Sequence, residues 1–108
     1  MQNLVKKITE ILNKKKAENI EVIDMQGKDY ISDFVIIANI LASRHVLSLI
    51  DDLKTNLKPL GANFLNIEES DNWCVIDLGD IIIHLMSENY RAKYNIEELL
   101  EELKKRFK

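Results

Sequence analysis

The hydrophobic positions of this chain change period several times, and each change marks an element. Leu4, Val5, Ile8, Ile11 and Leu12 follow helical spacing. Lys14, Lys15 and Lys16 then fall at the helix C-terminus, where positive charge complements the dipole. Ile20 to Met25 alternates loosely and predicts a strand, ended by the turn signal Gln26-Gly27. Phe34 to Ala38 is continuously apolar and largely β-branched, as in a central strand covered on both faces. A second helix follows, with Ser43 as N-cap and Val46, Ile50, Leu53 and Leu57 as its buried stripe. Pro59 and Gly61 stop it. Asn63 to Ile67 predicts a short strand.

Residues 73 to 86 carry the sharpest pattern. They predict two strands joined by a tight turn at Gly79-Asp80. In that register Leu78 faces Ile81, Ile76 faces Ile83 and Cys74 faces Leu85, so these side chains share one apolar face. The opposite face pairs Asp77 with Ile82, Val75 with His84, and Trp73 with Met86. One face is core; the other mixes an indole, an imidazole, a carboxylate and a thioether. Such a pairing of Trp with Met suits a protein interface and a helix-covered core equally.

Ser87 caps a short helical turn through Arg91, and Asn95 with Glu98 forms a box-like start for a last helix. The stripe of that helix is Ile96, Leu99, Leu100, Leu103 and Phe107, with Lys104, Lys105 and Arg106 late. The expected fold is α/β: a single domain over residues 1–108, with a mixed sheet of about five strands flanked by helices on both sides. Strand order does not follow from the pattern.

Composition narrows the function. The chain is 46% hydrophobic and 31% charged, which argues for a globule and against disorder. Cys74 is the single cysteine, which excludes an intrachain disulfide and fits a buried thiol in a reducing compartment. No apolar run is long enough for a bilayer, and the start lacks the features of a signal or transit peptide, so a cytoplasmic location is expected. Fifteen basic against 18 acidic residues give a net charge of -3, which weighs against direct nucleic-acid binding. Glu68, Glu69, Asp71, Asp77 and Asp80 crowd the segment around Trp73. An acidic patch beside an aromatic ring suits a basic protein partner; a solvated surface is the plainer account.

Catalytic chemistry finds little support. Asp77, Asp80 and His84 converge only loosely on any common point, and no Cys or His pair has ligand spacing. Ser43 beside His45 lacks a third partner, although Arg44 and His45 at a helix start could meet an anion. The three glycines stand singly, which excludes a P-loop and a dinucleotide fingerprint. Asp24 and Asp33 join Asp77 and Asp80 as metal candidates by residue type alone. No catalytic residue, cofactor or metal site is expected.

The segments Asp24 to Gly27, Ser32 to Phe34, Ser43 to Val46, Trp73 to Asp80 and Ile81 to His84 occur in the order of a known family, and Tyr94 to Leu99 looks like its closing Tyr-x-Leu-Glu-x-Leu pattern. Over residues 20 to 100 the chain resembles the ribosomal silencing factors, or Iojap-related family. The resemblance implies a nucleotidyltransferase-like fold without established transferase activity. It also implies binding to the large ribosomal subunit through its universal protein number fourteen, blocking small-subunit joining and damping translation. Asn39 to Ala42 departs from the family's Gly-Thr-Ser type loop, and Leu100 stands where a Trp is frequent.

Two classes of function follow. The first is a non-catalytic translation repressor on the ribosome, with a homodimer left open beside it. The alternative is a nucleotide- or metal-dependent enzyme on the same scaffold. For the first, the partner contact is expected on the mixed hairpin face, at Trp73, Asp77, His84 and Met86, with Glu68 and Glu69 beside it.

Overall fold

The computed structural model describes residues 2–28, 30–41 and 43–106, without the side chains of Gln2, Ser43 and Arg106. The Ser43 cap, the Phe107 end of the last stripe, the Arg106 charge and Ala42 therefore lie outside the described residues. In chain order the elements are α1 (Gln2–Lys14), β1 (Glu18–Asp24), β2 (Phe34–Asn39), α2 (Ser43–Leu57), β3 (Asn66–Glu68), β4 (Trp73–Asp77), β5 (Ile81–Met86), α3 (Glu88–Tyr94) and α4 (Ile96–Arg106). The strands form one sheet in the order β1-β2-β5-β4-β3. Only β2 and β5 pair in parallel; the other neighbours are antiparallel.

The hairpin has the register that its alternation predicts, with Trp73 opposite Met86, Cys74 opposite Leu85, Val75 opposite His84 and Ile76 opposite Ile83. Leu78 N–H donates to Ile81 O at 2.9 Å and closes the turn. Gly79 sits at φ +87°, a value that a side chain would strain, and its N–H donates to Asp77 Oδ1 at 2.8 Å.

Each face of the sheet builds its own core. Ile8, Ile11 and Leu12 of α1 and Val46, Leu49, Ile50, Leu53 and Leu57 of α2 pack over the first face. Phe34, Ile36, Cys74, Ile76, Ile81, Ile83 and Leu85 meet them from the sheet. On the second face Leu100 packs with Ile23, Met25, Val35, Ile37 and Met86, flanked by Tyr90, Ile96 and Leu103. All of β2 is buried, because it contributes to both cores.

Several boundaries differ from the pattern. β1 starts two residues before Ile20 because the chain turns at Lys16, φ +65°, straight after α1. β3 falls at Asn66–Glu68 rather than Asn63–Ile67; Ile67 is its only half-buried apolar side chain, so no alternation betrays it. The turn after Ser87 is a full helix to Tyr94, where Asn95 at φ +41° ends it and begins α4. Ser87 Oγ accepts from Tyr90 N–H, as a cap should. Leu99 belongs to no buried stripe: it is 57% exposed, because α4 covers only part of the sheet and this flank overhangs. Ile40 joins the first core while Leu41 is 71% exposed.

Candidate functional site

The second face is covered over β1, β2 and β5 but stays open over β3 and β4. Strand alternation sends Glu68, Val75 and His84 to this side in one cross-strand row and Asp77 in the next. Trp73 stands at the boundary between the covered half and the open half, partly buried against the second core.

Its indole is fixed on several sides. Trp73 Nε1–H donates to His84 Nδ1 at 3.0 Å, with ring centroids 5.9 Å apart. Tyr94 of α3 lies against the indole at 5.2 Å between centroids, and Tyr90 continues the cluster at 5.6 Å from Tyr94. The rings are tilted to one another, with centroids inside the range over which aromatic pairs attract. The backbone is tied as well: Ser70 Oγ accepts from Trp73 N–H at 3.1 Å and donates to Trp73 O at 2.7 Å. Tyr94 remains 46% exposed, so the cluster reaches the surface. A hollow of about 340 Å³ runs beside the indole, lined by Glu68, Glu69, Ser70, Trp73 and Val75.

Burial pushes the pKa of His84 down to about 4, so the imidazole is neutral at physiological pH. An indole N–H can only donate, so Nδ1 accepts and the ring proton sits on Nε2.

The fold thus gathers Trp73, His84, Glu68 and Glu69. Asp77 shares the face but lies four residues along β4 from Trp73, about 13 Å away at strand rise, and caps the turn. Met86 corrects the expectation. It is opposite Trp73 in register yet 0% exposed, because α3 and α4 close over that end of β5. Met86 is core and offers no contact surface.

Tyr90 and Tyr94 join the site without having been expected there; their i, i+4 spacing on one helix was the available signal. The buried residue Arg91 behind them was missed too. Its Nε donates to Glu97 at 3.1 Å, and its Nη1 to Asn39 Oδ1 at 2.9 Å and to the Asn19 carbonyl. These bonds seat α3 on β1 and β2 and so set where the tyrosines stand.

The other candidates have structural tasks. His45 bonds the Lys15 carbonyl at 2.6 Å, tying α2 to the end of α1. Asp24 Oδ1 accepts from Gln26 N–H at 2.9 Å in its turn. Cys74 is buried, its thiol raised to about 11 by burial and by the Glu69 charge. Among the described residues, no three His, Cys, Asp or Glu side chains are placed to hold a metal ion, and no helix is long and apolar enough to cross a membrane.

Comparison with known proteins agrees with this fold throughout. The family described as "Ribosomal silencing factor during starvation" matches residues 1–107. The "Ribosomal silencing factor RsfS" of Haemophilus influenzae is 36% identical over 99 residues, covering 89% of this chain and 96% of the relative. Its counterpart from Halalkalibacterium halodurans is 31% identical over 100 residues, covering 91% and 86%. A crystal structure of a Chromobacterium violaceum protein superposes with a TM-score of 0.85 at 28% identity, over 94% of this chain and 86% of that one. With nearly the whole chain matched, it belongs to the family of ribosomal silencing factors.

Proposed function

We propose that this chain represses translation by binding the large ribosomal subunit through its universal protein number fourteen and blocking the small subunit from joining. The observation that supports this most is the open half-face: an aromatic cluster of Trp73, Tyr94 and His84, flanked by the exposed carboxylates Glu68 and Glu69. Buried aromatic anchors ringed by charge are the composition of protein-binding hot spots. Acidic groups there favour a basic protein over a phosphate backbone.

The enzyme alternative gains no comparable support. Asp77 and Asp24 spend a carboxylate oxygen on the N–H groups of their own turns. The test is co-sedimentation with isolated large and small subunits, followed by a joining assay. The chain should pellet with large subunits and hold added small subunits apart. Equal binding to both, or normal joining at saturating protein, would remove the proposal.

A further inference from the structure

His84 is a polar group of the open face that the fold sets in a defined state with only one of its ring nitrogens engaged. Its Nδ1 is filled by the Trp73 indole N–H. Its Nε2–H bonds to no described residue. The only buried side-chain polar atom without a partner among the described residues is Glu97 Oε1, so Nε2 must open to solvent. The imidazole therefore shows the outside a single, oriented N–H donor.

We propose that His84 is the donor by which this face recognises a main-chain carbonyl of its protein partner, with Trp73 as the positioning residue that holds the donating tautomer. This rests on reading the face as the ribosome-binding surface. An outward N–H excludes a lysine or arginine at that point, since two donors cannot bond each other. A phosphate is disfavoured because Glu68 lies in the same cross-strand row, two strands away and about 10 Å from His84, and Asp77 lies in the next row. A neutral acceptor on an extended protein segment satisfies both limits. The partner's basic side chains then fall to Glu68 and Glu69, beyond the indole. The burial that keeps the ring uncharged serves the same end, because a protonated His84 would lose its bond from Trp73.

The free protein tests the first half. Imidazole nitrogen spectra at pH 7 should show Nε2 protonated and Nδ1 bare, with Trp73→Phe giving a mixture of tautomers. A proton on Nδ1 in the native protein would overturn the proposal. Purified large subunits test the second half. His84→Phe, checked by thermal melt, should bind about tenfold more weakly. His84→Gln, whose amide nitrogen reaches the Nε2 position, should stay within about threefold of the native chain. If His84→Phe fails to fold, the Trp73→Phe spectrum and the His84→Gln affinity still decide. Native affinity in a folded His84→Phe overturns the donor role alone. Failure of the native chain to bind large subunits instead overturns the reading beneath it. Binding to protein-free large-subunit RNA with the same His84 dependence would assign the acceptor to RNA and likewise overturn the proposal.

Discussion

The two faces of the sheet divide the work of the molecule. On the first, two helices cover the strands with a core of aliphatic side chains, Phe34 and the Cys74 thiol. On the second, α4 covers about half, and the border between covered and open strand is where Trp73, His84 and Tyr94 meet. The first face can be stable without being specific. The second gives up burial over β3 and β4 and gains a set of fixed polar and aromatic groups that face outward.

The largest expected effect lies on the first face. Ile83→Asp places a charge among Cys74, Ile76 and Leu85 with no partner in reach. It should cost more than about 4 kcal/mol and leave no cooperative melt. A folded Ile83→Asp would mean that the first core is far looser than its packing.

A smaller effect separates the faces by pH. His84 takes its proton near pH 4 when folded and near 6.5 when unfolded, so between these values the unfolded chain binds more protons. Its contribution is complete above pH 6.5 and is lost as pH falls toward 4, at most roughly 3 kcal/mol. Carboxylates titrate over the same range, so the measurement is the difference between native and His84→Phe melts from pH 7 to 4. The variant should lose less stability. Parallel curves would show that the ring is solvated.

The mildest change in stability should come from Trp73→Ala, which spares the first core. It removes an indole that is only partly buried and should cost about 1 to 2 kcal/mol in folding. Loss of binding to large subunits should be the greater effect, about 2 kcal/mol or more. If the variant melts like Ile83→Asp, the indole is packing and the comparison between faces fails.

The hairpin was legible from sequence because its information is local. Alternation and a glycine turn fix which residues face which, and β2 declared itself by an unbroken apolar run. The burial of Met86 was not legible, since it depends on where α4 lands and not on the strand that carries Met86. Arg91 was hidden for the same reason: its partners Asn39 and Asn19 lie 52 and 72 residues upstream. Trp73 and His84 could be placed on one face by counting along the hairpin; Glu68 could not, because the β3–β4 pairing that brings it into their row is not written in the local pattern. The tyrosines could not, because no strand register reaches them.

The seating of Arg91 also makes the aromatic surface depend on distant parts of the chain. Contacts that span 52 and 72 residues carry a loop-closure cost, so α3 depends on β1 and β2 being in place for its seat. A growing chain that has not yet produced residues 87–94 holds Trp73 on its hairpin with no Tyr94 beside it. The surface proposed for docking is therefore complete only when residues 87–94 are present, and a chain still lacking them has no finished aromatic cluster to offer a partner.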